Sequence, residues 1–350
     1  MNSNFWKGRS VFLTGHTGFK GGWLALWLSY LGAKVHGFSL DVPTQPNFYK
    51  ETGLESRLHS STLGDIRDLT RLTGAIKEAR PSLMIHMAAQ ALVRESYRDP
   101  VNTFTTNLLG TVNVLEAVRG SETVEGFINV TTDKCYENQE LSRCFTEADR
   151  LGGHDPYSSS KACAELATVA YRDSFLADQG IKLATVRAGN VIGGGDWSTD
   201  RLVPDFFRSV EDGRVLSVRS PHAVRPWQHV LEPLFGYLTL AEKLISESGE
   251  FAEAWNFGPE ELDAKPVSWV VEYLAQKVPN VRWQVNSAPK PHEANTLKLD
   301  STKARDKLGW FSRWSLDIAL TKTLEWHQAW QAGHSMDNLS LRQIEIYTAQ

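Results

Sequence analysis

The sequence predicts an α/β protein, a doubly wound parallel sheet with a smaller C-terminal substrate lobe. Three observations lead there. Through the first half, short apolar runs alternate with helix-length amphipathic segments, the pattern of βαβ units whose strands are covered on both faces. A glycine-rich turn directly follows the first of these runs and opens a helix. After Gly193 the alternation breaks down and loop-rich sequence follows.

In order, residues 10–14 read as a buried strand, 21–31 as a helix and 34–40 as a second strand. Further strands are expected at 83–86, 126–130 and 182–187, and the stretch 255–258 resembles one more. Residues 1–192 are therefore assigned to a dinucleotide-binding domain, to which the chain returns near 226–258. Residues 193–225 and 259–335 form the substrate lobe, and 336–350 a C-terminal tail. Doubly wound sheets bind ligands outside the carboxyl ends of their strands, so chemistry is expected just after each strand.

Composition narrows the class. A chain of 350 residues with 41% hydrophobic and 22% charged residues can bury an ample core. The net charge of −4 gives no electrostatic reason to expect nucleic acid or an anionic membrane as partner. The apolar stretch 23–28 is far too short to span a bilayer, and the first residues lack a secretion-signal layout. Cys135, Cys144 and Cys163 form no CxxC pair, which points to a reduced, cytoplasmic protein without structural zinc. No histidine pair has metal-ligand spacing, and packing accounts for most of the twelve tryptophans.

The turn Thr14-Gly15-His16-Thr17-Gly18-Phe19-Lys20-Gly21 places Gly15, Gly18 and Gly21 at GxxGxxG spacing. Such glycines let the backbone turn tightly and approach a pyrophosphate seated on the helix N-terminus. Phe19 and Lys20 belong to the same candidate cofactor set, with Lys20 either a cation beside the phosphates or a solvated helix end. Asp41 lies roughly twenty residues on, where a carboxylate reads the adenosine ribose, although Ser39 can occupy that place instead. No cation follows closely, which favours NAD over NADP. Asp65 and Ile66 follow another short segment; Asp65 can bond the adenine amino group, or Asp65 or Asp68 can cap a helix.

Tyr157 and Lys161 stand four apart at a predicted helix start and so share one face. An ammonium beside a phenol stabilises the phenolate, making the tyrosine a usable general base. Thr132, Asp133 and Lys134 follow the strand at 126–130; Thr132 can orient the oxygen that Tyr157 deprotonates, and the other two are proton-transfer groups. An aspartate after a strand is commonly a turn residue, but three polar groups together there are hard to explain as packing.

The run TGHTGFKGG, GDIRD, HMAAQ, TTDKCY, YSSSK, VRAGNVIGGGDW and RPWQHV resembles the extended short-chain dehydrogenase/reductases, Rossmann-fold enzymes of nucleotide sugars. Within them, Thr132-Asp133 followed by an ionisable residue is similar to the 4,6-dehydratases. Lys134, with the HTGFKG turn and RPWQHVLEP, is similar to the branch acting on CDP-glucose. The resemblance implies a hydro-lyase using NAD: Tyr157 takes the 4-hydroxyl proton as C4 is oxidised, Asp133 protonates the departing 6-hydroxyl, and Lys134, if uncharged, removes the C5 proton. It places Ala88 and Ala89 near the cofactor and Asn190 and Arg225 on the substrate diphosphate, with Lys290 and His292 either closing the nucleotide pocket from the second lobe or standing on the surface. It implies a homodimer through helices at 102–118 and 157–176, and a place in deoxysugar synthesis for surface polysaccharide. A 4-epimerase shares the turn and the Tyr-Lys pair but needs no acid such as Asp133. A non-catalytic NAD-binding regulator would need the glycine turn but not the Tyr-Lys pair, which is intact here.

Overall fold

The computed structural model describes residues 2–139, 143–247, 249–286 and 296–350. Seven parallel strands form one sheet: β1 (Ser10–Thr14), β2 (Lys34–Ser39), β3 (Ser60–Leu63), β4 (Leu83–His86), β5 (Gly126–Val130), β6 (Lys182–Ala188) and β7 (Ala254–Phe257). Their spatial order is β7-β6-β5-β4-β1-β2-β3, so the direction of winding reverses between β1 and β4. That reversal opens the crevice in which the glycine turn after β1 faces Ala88 and Ala89 after β4. All residues of β4 and β5 are buried, because helices cover both faces.

On one face lie α1 (Phe19–Tyr30) and α6 (Leu231–Ser246). α1 is apolar nearly all round because it is sandwiched: Trp23, Leu24 and Trp27 are fully buried, and the Trp27 ring meets Tyr347 edge-on at 5.8 Å. Tyr347 belongs to α9 (Met336–Thr348), so the segment separated in the sequence as a tail is a docked helix with Met336, Ile344 and Tyr347 buried at helical spacing. Seven tryptophans, Trp6, Trp23, Trp27, Trp255, Trp310, Trp314 and Trp326, are completely buried, consistent with packing. On the other face, α2 (Leu69–Ala79) and α3 (Gly110–Arg119) pack Leu72, Ile76, Val114 and Val118 onto Phe12, Met84 and Phe127.

The helix leading into α3 carries a π-bulge over Thr105–Leu109. It delivers Asn107 inward, where Nδ2 donates to Gln90 O at 3.0 Å and to Ser160 Oγ at 2.9 Å. Its Oδ1 accepts from Gln90 N at 2.8 Å. The loop after β4 is thereby tied to α4 (Pro156–Tyr171), the helix bearing Tyr157 and Lys161.

The second lobe has its own core. Val203, Phe206 and Phe207 of α5 (Leu202–Glu211) pack with Val270 and Leu274 of α7 (Val267–Lys277) and with Leu316, Leu320 and Leu324 of α8 (Leu316–Gln331). The short strand Val224–Pro226 pairs antiparallel with Ala264–Pro266 and positions Arg225.

Candidate active site

The site begins with backbone. Gly15 has φ +82°, and a Cβ there would lie 2.8 Å from Ala88 N. A Cβ on Gly21 would meet Gly15 O at 2.1 Å. Side chains at either place would push strand, turn and helix apart, so these two glycines are fixed by close approach. Thr14 Oγ1 bonds His86 Nδ1 at 2.7 Å and accepts from Met87 N and Ala88 N at 3.0 and 3.1 Å. Burial pushes His86 down to about 3, so at neutral pH it is an uncharged structural link between the β1 and β4 loops.

The glycine turn, Ser39, Asp41, Asp65, Ile66, Ala88 and Ala89 all line one cleft of about 760 Å³. The same cleft is lined by Thr132, Asp133, Lys134, Tyr157, Lys161, Asn190 and Arg225. Glycines at close-approach positions, small alanines opposite and a long channel suit a dinucleotide. Ser39 is buried with its Oγ 2.7 Å from Thr17 Oγ1, while Asp41 is exposed and accepts from Val42 N. Asp65 is engaged by Arg67, which holds its carboxyl below the usual range, and the cap of α2 is Asp68, whose Oδ1 accepts from Arg71 N at 3.0 Å. Ile66 is buried where a Cβ on Gly110 would strike it.

Lys20 is arranged differently from a phosphate-facing cation. Its Nζ donates to Tyr237 Oη at 2.7 Å, and burial together with Lys161 pulls it down to about 7. Because α1 packs against α6, the first turn of α1 points this amine at the buried Tyr237. The field of Lys20 reaches Asp133.

The catalytic candidates converge for identifiable reasons. Asp155 caps α4, accepting from Ser158 N at 2.9 Å, and Pro156 takes the first helical position, where its missing N–H costs nothing. Tyr157 and Lys161 then project from one face toward the end of β5. Lys161 Nζ donates to Val130 O at 3.1 Å, and burial lowers it to about 8. Tyr157 is pushed up to about 12 by burial, opposed by Thr132, whose hydroxyl lies within hydrogen-bonding reach. Thr132 Oγ1 donates to Asp133 Oδ1 at 3.0 Å. Asp133 is buried, its carboxyl raised by desolvation against the pull of Lys134, Thr132, Arg225 and Lys20. Its Oδ2 is a buried oxygen without a hydrogen-bond partner among the described residues. An acceptor kept dry and unfilled at the floor of a cleft is prepared for a ligand hydroxyl.

A model of the GDP-mannose 4,6-dehydratase family matches residues 12–323. This chain belongs to that family. It is 47% identical to the CDP-glucose 4,6-dehydratase of Salmonella typhimurium, over 99% of this chain and 98% of that protein. Among solved structures, the dTDP-glucose 4,6-dehydratase of Bacillus anthracis in complex with NAD superposes with a TM-score of 0.76 at 21% identity, covering 92% of this chain and 97% of that one. The UDP-glucose 4-epimerase of Thermotoga maritima with UDP-glucose superposes at 0.78 and 22%, covering 91% and 98%. These neighbours share the extended short-chain dehydrogenase/reductase fold.

In this family member Arg225 is buried, its Nη1 on Val224 O at 3.0 Å, and Asn190 enters the same cleft from the β6 loop. Gly189 makes room between them: a Cβ there would lie 2.4 Å from Pro226 Cγ and 3.2 Å from Asp133 Oδ2. Lys290 and His292 lie outside the described residues. No group of metal-ligating side chains occurs among the described residues.

Sequence reasoning missed Arg201, which lines the cleft, pairs with Asp196 at 2.9 Å and lowers Tyr157 electrostatically. It also missed Glu165. Glu165 Oε1 accepts from Thr131 Oγ1 and from Arg187 Nε at 2.9 Å; Oε2 accepts from Thr185 Oγ1 and Arg187 Nη2, each at 2.8 Å. This network locks α4 to β5 and β6. Spacing held a signal, since Glu165 is one helical turn beyond Lys161, but Arg201 stands in loop sequence with none.

Proposed function

We propose that the chain converts CDP-D-glucose to CDP-4-dehydro-6-deoxy-D-glucose and water. The observation that carries this reading is the buried, open Asp133 carboxyl beside Tyr157, Thr132 and Lys161. NAD would be held along the glycine turn with Ser39, Asp41, Asp65 and Ala88, and would supply the acceptor for the C4 hydride and its return to C6 once water has left across C5 and C6. Tyr157 takes the 4-hydroxyl proton, with Thr132 orienting that oxygen and the Lys161 charge favouring phenolate. Asp133, whose carboxyl desolvation raises and so favours holding a proton, is the acid that serves the departing 6-hydroxyl. Lys134, in the half-buried position after it, removes the C5 proton. Arg225 and Asn190 hold the diphosphate. The 47% identity over nearly the whole length supports CDP-glucose as the substrate.

Incubation with CDP-glucose and NAD, followed by the alkaline absorbance of a 4-keto sugar, tests this directly. Epimerisation without a lasting keto sugar would replace the reading. NAD should support activity far better than NADP, because no cation follows Ser39 and Asp41; equal activity with both refutes that part.

We assign residues 1–192 with the 226–258 return to cofactor binding, and 193–225 with 259–335 to the substrate. A homodimer is expected from apolar side chains left exposed on the two helices of one face, Val101, Leu109, Leu166 and Phe175. Light scattering showing only a species near 39.2 kDa would reject it. A cytoplasmic role in deoxysugar synthesis fits the three free thiols, and no helix among the described residues is long and apolar enough to cross a membrane.

A further inference from the structure

The cleft has two chemically different ends. At the inner end Asp133 feels the charges of Lys20 and Arg225, Tyr157 feels that of Arg201, and Lys161 acts on Lys20. At the outer end the second lobe supplies apolar wall: Leu202, Pro204, Leu216 and Val218. A flat heterocycle suits such a wall.

One carboxylate stands in that wall. Asp205 lies three residues after Leu202 in the first turn of α5, and both line the cleft. The charges that act on Asp205 are Arg208, Arg219 and Asp200, all of the second lobe, and none of the inner-end groups. Its Oδ1 accepts from Arg208 Nη2. The same guanidinium donates to Trp197 O at 2.7 Å and Ser198 O at 3.0 Å, so Asp205 is braced by a side chain anchored at three points. No hydrogen bond from a described residue reaches its second oxygen, and the side chain, 35% exposed, stays accessible beside the wall. A carboxylate held in place by Arg208 and left accessible on an apolar wall offers an acceptor to a ligand donor.

We infer that Asp205 reads the pyrimidine edge of the nucleotide, accepting a hydrogen bond from the exocyclic 4-amino group of cytosine. Cytosine presents a donor at that position. Uracil and thymine present a carbonyl oxygen, which would face an acceptor-only carboxylate. A polar group left unpaired by the wrong ligand rejects it more strongly than shape alone does. Asp205 is thus a specificity-determining residue for the base. Lys161, Tyr157 and Asp133 handle the sugar and cannot sense this difference. The inference rests on reading the cleft as a nucleotide-sugar site.

The test compares CDP-, UDP- and dTDP-glucose in kcat/KM, with saturating NAD, for the unaltered protein, Asp205→Leu and Asp205→Asn. Calorimetric affinities for CDP and UDP provide a readout independent of turnover. The unaltered protein should favour the cytosine nucleotide by at least about tenfold. Asp205→Leu should bring the ratio to within about threefold, and Asp205→Asn, whose amide can donate to a 4-carbonyl, should raise UDP relative to CDP. A merely structural role would weaken all nucleotides alike and leave the ratios in place. Unchanged ratios in both variants overturn the inference, as does an unaltered protein that prefers UDP or dTDP. If the unaltered protein makes a keto sugar from none of the three, the dehydratase reading falls, and the CDP-to-UDP affinity ratio alone judges Asp205.

Discussion

Two buried acids sit within one helix–strand junction and are treated oppositely. Glu165, in the middle of α4, is saturated: a buried arginine and two threonine hydroxyls fill both its oxygens. Desolvation, the largest single influence, would raise its carboxyl, yet Arg187 together with the Thr131 and Thr185 hydroxyls outweighs it and holds the group below the usual range. Asp133, at the end of β5, has one hydroxyl on Oδ1, nothing described on Oδ2, and a carboxyl pushed up. Burial is common to both, so burial alone does not mark function. An unfilled acceptor that also lines the cleft does: the buried oxygens of Asn129, Gln228 and Gln343 are unfilled too, but of these only the Asp133 carboxyl opens where a ligand can reach it.

The sharpest way to break this comparison is to exchange each acid for its amide. Asp133→Asn should cut kcat by about 10²–10⁴-fold, with reduced cofactor accumulating, because the 6-hydroxyl loses its acid. The folded state should be about as stable as before, since a neutral amide replaces a carboxyl of the same shape whose charged form is disfavoured by burial. The parent rate should also fall as pH rises and Asp133 ionises, and that limb should be absent from the variant; a retained limb assigns it to another group. Glu165→Gln should do the reverse. It strands Arg187 in the core, at about 3–5 kcal/mol measured by urea unfolding, while the folded fraction keeps most of its kcat. A large kcat loss without loss of stability would place Glu165 in the chemistry.

A smaller effect is expected at Lys134. Lys134→Met should slow solvent deuterium exchange at C5 by about tenfold or more while C4 oxidation continues. Exchange at the parent rate would reduce Lys134 to an electrostatic role. The smallest change is spatial. Gly189→Ala puts a methyl 2.4 Å from Pro226 and 3.2 Å from Asp133 Oδ2, and should cost about 1–3 kcal/mol while raising KM. Unaltered KM and stability would mean that the loop yields easily.

What was legible in the sequence was whatever short-range geometry encodes. Strand-turn-helix order with glycines at fixed spacing defines a pyrophosphate cradle wherever it occurs. Tyrosine and lysine one helical turn apart share a face by helix geometry, and three polar residues after an apolar strand lie at a strand end. The sheet and the convergence of these polar residues on one cleft follow from such local rules, while the family follows from the motifs taken together. The rest depends on what lies opposite in space. Only the packing of α1 against α6 turns the Lys20 amine onto Tyr237, and only α9 docking on α1 makes the last residues part of the core. Asp133 and Glu165 are both acids near apolar sequence; which is saturated depends on Arg187, Thr131 and Thr185 arriving from other strands. Asp205 has no motif, and its place in the cleft follows from the second lobe closing over the sheet edge. Periodicity records the face on which a residue lies, and the partner on that face is set by chain segments too distant for any spacing to report.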